Sequence, residues 1–167
     1  AGTPGNDYLI LEKADVKLAI VNLSGRTFMQ CMDCPFQAMT RVLPQIKTNL
    51  VLIDMHAEAT SEKVAMGWFL DGRVSAVLGT HTHVMTADER ILPQGTAFLS
   101  DAGMVGAYDS IIGMQKEQIL KRFVTQLPEK FEPTETGPGL FNGVLVSIDA
   151  ISGQAKDIKR IIKIVGE

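Results

Sequence analysis

Three histidines are the residues of this chain whose type and spacing most clearly allow chemistry: His56, His81 and His83, the only histidines among its 167 residues. Neutral imidazole is a common ligand for zinc, iron and manganese. His81 and His83 stand two apart. In an extended strand they project to the same side, whereas in a strand turning into a loop they can grip two adjacent ions. A single strand-end histidine is usually a hydrogen-bonded structural residue, but three together shift the balance towards a site. They could close one His₃ zinc site. Asp54, Glu58 and Glu62 lie within six residues of His56, so a harder, more oxygen-rich site is equally open on spacing alone.

Other candidates are weaker. Cys31-Met32-Asp33-Cys34 has the C-x-x-C spacing of zinc knuckles and thiol redox sites, yet it has no second cysteine pair and runs straight into Pro35. A structural or incidental role is the expectation. Glu58 and Glu62 are one helical turn apart and could form an acid/base pair, although such pairs more often line a solvated face. Arg26, after Leu23-Ser24-Gly25, has the chemistry to hold a phosphate.

The elements that must position these groups are read from periodicity. Leu50 to Met55 is apolar except for Asp54, the pattern of a strand buried on both faces, and His56 ends it. A helix follows to about Leu70, with Thr60 or Ser61 as its expected cap and Glu62 in its first turn. Val74 to Leu78 is a second buried strand, running into Gly79-Thr80-His81-Thr82-His83. Strand, helix, strand is a parallel crossover, so His56, His81 and His83 fall at the same C-terminal edge of one sheet.

Around this unit, Tyr8 to Glu12 and Lys17 to Leu23 read as a hairpin, and Pro35 to Lys47 as a helix bent at Pro44. Arg90 to Leu92 and Thr96 to Leu99 flank a Pro93-Gln94-Gly95 turn. Ser100 to Gly113 and Glu129 to Gly139 read as loops, the former a candidate pocket wall. Lys116 to Leu127 is an amphipathic helix with Ile119, Leu120, Phe123, Val124 and Leu127 on one face. Phe141 to Asp149 and Lys156 to Val165 close the chain as a hairpin around Ser152-Gly153. The order predicts an α+β arrangement with a buried parallel element and antiparallel additions.

Composition sets outer limits. With 46% hydrophobic and 21% charged residues, the chain is an ordinary globule, of a size for one domain and no second. Nineteen acidic residues against sixteen basic give a net charge of −3, which argues against holding long nucleic acid by charge. No apolar run approaches the roughly 18 to 20 residues of a membrane span. Two cysteines are too few for a disulfide scaffold, and the cytoplasm is the expected compartment.

The residues around the histidines are more specific than their spacing. His56-Ala57-Glu58-Ala59-Thr60-Ser61-Glu62-Lys63 and Gly79-Thr80-His81-Thr82-His83-Val84, with Asn22-Leu23-Ser24-Gly25-Arg26 upstream and Asp109-Ser110-Ile111-Ile112-Gly113-Met114 downstream, resemble the YmdB-like bacterial metallophosphoesterases. The resemblance extends over nearly the whole chain. It implies an α/β fold, the metallophosphoesterase βαβα sandwich, with mixed parallel and antiparallel strands and two divalent metal ions (Fe, Mn or Zn) at the strand ends. It also implies that His56 and His81 bind one metal and His83 the other. The implied activity is hydrolysis of small phosphodiesters such as 2',3'-cyclic nucleotides by metal-bound hydroxide, without a covalent enzyme intermediate.

The family's remaining ligands are an aspartate, a bridging carboxylate, an asparagine and an Asn-His pair. They belong to an N-terminal segment without a counterpart in residues 1–167. The resemblance therefore makes the chain the C-terminal portion of a single metallophosphoesterase domain, inactive alone. Its uncovered sheet edge and apolar face would be closed by the N-terminal fragment of the same protein or by self-association into an oligomer. The competing expectation is a non-catalytic metal-binding or assembly module, and last comes a thiol redox protein using Cys31 and Cys34.

Overall fold

The computed structural model describes residues 5–166. The apolar runs form the strands that their pattern requires. β1 (Leu9–Lys13) and β2 (Val16–Ser24) make an antiparallel hairpin around Ala14-Asp15, with Ala14 at φ 50°. α1 (Pro35–Val42) starts at the proline expected to open it and tightens into a 3₁₀ turn, Leu43–Gln45, where Pro44 cannot continue the ladder. β3 (Leu50–His56), α2 (Thr60–Leu70) and β4 (Ala76–Thr80) form the expected parallel crossover. β5 (Arg90–Ile91) and β6 (Ala97–Leu99) pair antiparallel around the Pro-Gln-Gly turn. β7 (Val105–Ala107), α3 (Lys116–Thr125), β8 (Gly139–Ile148) and β9 (Ala155–Val165) follow.

The strands make a six-stranded sheet in the order β1-β2-β3-β4-β6-β5 and a three-stranded antiparallel sheet in the order β7-β8-β9. In the large sheet β2, β3, β4 and β6 run parallel and the two edge strands antiparallel. The α/β class with mixed strand directions is thus borne out.

Alternation along β3 sorts the two faces of the large sheet. Val51, Ile53 and Met55 enter the main core with Met39 of α1 and Met66 and Leu70 of α2. Leu52 packs on the opposite face, with Ala76, Leu78, Ala97 and the β8–β9 residues Val146, Ala155 and Ile158. The large sheet therefore lies between a helix layer and the small sheet. Full burial of one such large apolar side chain is worth about 1.5–3 kcal/mol, so the layer contacts dominate the fold's stability.

Three local expectations need correction. The N-cap of α2 is Ala59, not Thr60 or Ser61, and no side chain caps it. Thr60 and Ser61 are instead helical. The stretch Ser100 to Gly113 contains β7, which pairs with Gly139–Phe141 of β8. α3 ends at Thr125, and on it only Ile119 is buried, while Leu120, Phe123 and Val124, and Leu127 beyond the helix, stay exposed on the described surface. β1 lies at a sheet edge with Leu9, Ile10 and Leu11 exposed. No helix among the described residues is long and apolar enough to cross a membrane.

Candidate functional site

Strand register creates the site. Asn22 of β2 pairs with Asp54 of β3, and His56 of β3 pairs with Thr80 of β4. Because side chains on a strand alternate, Asp54 and His56 share one face at the C-terminal end of the sheet. Their side chains connect in a row. Asn22 Nδ2 donates to Asp54 Oδ2 at 2.6 Å, and Thr80 Oγ1 donates to Asp54 Oδ1 at 2.7 Å.

This row dictates the tautomer of His56. Thr80 spends its single hydroxyl proton on Asp54, so towards His56 Nδ1, 3.1 Å away, its oxygen can only accept. His56 therefore carries its proton on Nδ1 and presents a lone pair on Nε2. That nitrogen faces His81 Nδ1 at 3.1 Å, with the two rings perpendicular and their centroids 4.8 Å apart. On its far side His81 Nε2 lies 3.2 Å from Glu58 Oε2. Both ring nitrogens of His81 thus face a polar partner, His56 on one side and Glu58 on the other.

The same arrangement fits a metal. Two nitrogens each about 2.1 Å from one ion, at octahedral to tetrahedral angles, lie roughly 3.0–3.4 Å apart, the spacing of the His56 and His81 nitrogens. The outer partners of His56 are those that orient a ligating histidine: a hydroxyl backed by a carboxylate. Histidine with a nearby carboxylate suits zinc, iron and manganese alike.

His83 stands apart from that pair. Its Nδ1 donates to the Ile112 carbonyl at 2.9 Å, which leaves Nε2 as the free ligand nitrogen. Among the described residues, no three His, Cys, Asp or Glu side chains converge closely enough to hold a metal by themselves. The three histidines thus do not converge into one cluster among the described residues. His81 and His83 are also not extended. Their φ values are +110° and +65°, a conformation that costs a non-glycine residue of order 1–3 kcal/mol and recurs where function requires it.

The structure splits the expected Glu58–Glu62 pair. Glu58 precedes α2 and turns to His81, whereas Glu62 is buried and accepts the backbone N–H groups of Arg26 and Thr27 at 3.2–3.3 Å. Gly25 N–H in turn donates to the His56 carbonyl at 2.8 Å. Glu62 thus pins the loop after β2 beside the site, and Arg26 is held there through its backbone. Cys31 and Cys34 are both free thiols. Cys34 is the N-cap of α1, and the Gln37 amide holds its thiol below the ordinary value against the opposing effect of burial.

Two site residues escaped the reading of the sequence. Lys63 and Asp101 form an ion pair at 2.7 Å with both side chains 1% exposed. The signal was present: Lys63 shares the buried face of α2 with Met66, Gly67 and Leu70, a helical spacing at which a lysine is out of place. Asp101 Oδ2 also accepts the Thr82 N–H at 3.0 Å, between the two strained histidines, and Oδ1 accepts the Gly103 N–H at 2.9 Å. Burial pushes the Asp101 carboxyl up, and the Lys63 ammonium with the two amides outweighs that and holds it below the ordinary aspartate value. Gly79 makes room for this pair. A Cβ there would lie 1.8 Å from the Ser100 carbonyl oxygen and 2.8 Å from Lys63 Cδ.

Comparison with known proteins adds independent findings. The model of a family described as YmdB-like protein matches residues 1–161. The chain is 48% identical over 163 residues to the 2',3'-cyclic-nucleotide 2'-phosphodiesterase of Bacillus subtilis (strain 168), covering 96% of this chain and 61% of that protein. A crystal structure of a hypothetical protein from Thermus thermophilus superposes with a TM-score of 0.92 at 43% identity, over 98% of this chain and 64% of that one. The crystal structure of a novel phosphatase from Mycoplasma pneumoniae superposes with a TM-score of 0.88 at 33% identity, over 96% and 58%. The chain spans between 53% and 61% of the length of the curated relatives it matches.

Proposed function

Since the chain belongs to the YmdB-like family, we propose that the whole protein is a metal-dependent phosphodiesterase acting on small phosphodiesters such as 2',3'-cyclic nucleotides. In this reading the chain contributes His56, His81 and His83 to a centre of two divalent ions. The observation that carries it is the His56–His81 pair, whose nitrogens face each other at 3.1 Å at the ends of adjacent parallel strands. The activity that names the Bacillus subtilis relative supports the substrate class. A divalent pair supplies Lewis-acid polarisation of a phosphoryl oxygen and a nucleophile at neutral pH.

The chain's own residues hold and orient. Asp54 and Thr80 fix the His56 tautomer so that Nε2 points to His81, and Glu58 places a carboxylate on the far side of His81. The Ile112 carbonyl does for His83 what Thr80 does for His56. Glu62 keeps the Gly25–Thr27 backbone beside the site. The chain spans 61% of the length of the Bacillus subtilis relative, and in this reading the rest of the whole protein completes the centre.

The test is hydrolysis of 2',3'-cyclic AMP by the whole protein with and without added manganese, followed by His56→Ala and His81→Ala. Metal-dependent turnover that falls at least about a hundredfold in each variant while the fold is kept supports the reading. Turnover insensitive to metal and to both substitutions overturns it.

A further inference from the structure

We propose that the buried Lys63–Asp101 pair is a positioning device for the site, holding the His81–Thr82–His83 backbone in the conformation that aims the two imidazoles. The proposal rests on the reading of those histidines as metal ligands.

Burying two charges is costly, and an apolar pair of similar volume is often as stable or more so. Lys63 occupies a core position on α2, where Met66 and Leu70 show what packing alone would select. What the ion pair adds is the acceptor at its end. Asp101 Oδ2 takes both the Lys63 ammonium and the Thr82 N–H. Fixing that amide fixes the plane of the His81–Thr82 peptide, hence ψ of His81 and φ of Thr82. The directions in which the side chains of residues 81 and 83 leave the backbone follow from it.

Both histidines sit at positive φ, which a side-chain-bearing residue leaves unless its surroundings hold it. Asp101 is itself held from several sides. Its own N–H donates to Thr86 Oγ1 at 2.9 Å, its Oδ1 binds the Gly103 amide, and the Ala102 N–H donates to the Gly79 carbonyl at 2.8 Å, two residues before His81. Lys63 supplies the charge that keeps the carboxylate ionised in this closed space.

The decisive variant is Lys63→Met with Asp101→Leu in the whole protein, which exchanges the charges for an apolar pair but removes the acceptor of the Thr82 amide. Manganese binding is titrated calorimetrically beside a thermal melt by circular dichroism. The expected result is a single cooperative melting transition, lowered by the loss of the Thr82 and Gly103 acceptors, and manganese affinity about 10- to 100-fold weaker, the usual effect of losing an outer partner of a metal ligand. Unchanged affinity overturns the proposal alone, whereas a wild-type protein that binds no manganese overturns the metal reading with it. If the double variant does not fold, hydrogen exchange of the wild-type protein decides. A Thr82 amide at least about a hundredfold slower than a free amide supports the clamp, and an unprotected one overturns it.

Discussion

Replacing Gly79 by alanine puts the close approach of β4 to the Ser100–Asp101 segment to a single test. The added Cβ would sit 1.8 Å from the Ser100 carbonyl oxygen, 2.5 Å from its carbonyl carbon and 2.8 Å from Lys63 Cδ. The nearest of these is backbone, so no rotamer change relieves it. Even a tight contact of about 3.0 Å requires the Ser100 segment to retreat by roughly 1.2 Å, and overpacking of this kind costs about 1–3 kcal/mol. That retreat pulls Asp101 away from Lys63 and Thr82, and separating a buried pair costs about 3–5 kcal/mol. We expect Gly79→Ala to lose at least about 3 kcal/mol, a large share of the roughly 5–15 kcal/mol typical of a domain. The assay is urea unfolding followed by circular dichroism, with Gly106→Ala as the matched control. At Gly106 the nearest atom to an added Cβ is Met104 Sδ at 3.7 Å, so the control should stay within about 0.5 kcal/mol of wild type. A Gly79→Ala protein as stable as the control would refute the reasoning.

Further perturbations probe other parts of the molecule. Glu62→Ala strips the Arg26 and Thr27 amides of their acceptor and should cost about 1–3 kcal/mol, with faster hydrogen exchange at those amides; unchanged exchange there would contradict the anchoring role. Asp88 offers a pH test. Burial raises its carboxyl, and the Thr86 hydroxyl with the Ser100 amide and hydroxyl outweighs that and leaves it below the ordinary aspartate value. Its contribution is therefore complete above the ordinary aspartate range and is lost as pH falls through that range towards the lower folded value. Asp88→Asn should flatten the acid limb of the melting temperature against pH, and an unaltered slope would count against it. Cys31→Ser with Cys34→Ser should leave both manganese affinity and stability near wild type, since Cys31 is exposed and both thiols are free; a loss of metal binding would put the cysteines back into the site.

The parallel crossover and its histidines were legible because two long apolar runs, each ending in histidine, carry a strong local signal. Strand direction then places His56 and His81 at one edge without further information. Detail that depends on non-local contact was not legible. β7 is three residues long and exists through pairing with β8, more than thirty residues away. Glu58 and Glu62 look like one helical face until the chain starts its helix at Thr60, which frees Glu58 for His81 and leaves Glu62 buried against Arg26. Lys63 was readable as an anomaly on a buried face, but its partner Asp101 lies 38 residues on, in a segment that looked like loop. On α3 the apolar stripe was correctly periodic, yet burial depends on a neighbouring surface and only Ile119 meets one.

The central claim, that His56, His81 and His83 hold divalent metal, is tested most directly by elemental analysis of the whole protein after exhaustive dialysis, beside its three single alanine variants. About two metal ions per chain are expected in the wild type, with a lower content in each folded variant. Wild-type metal content in all three variants would contradict the claim.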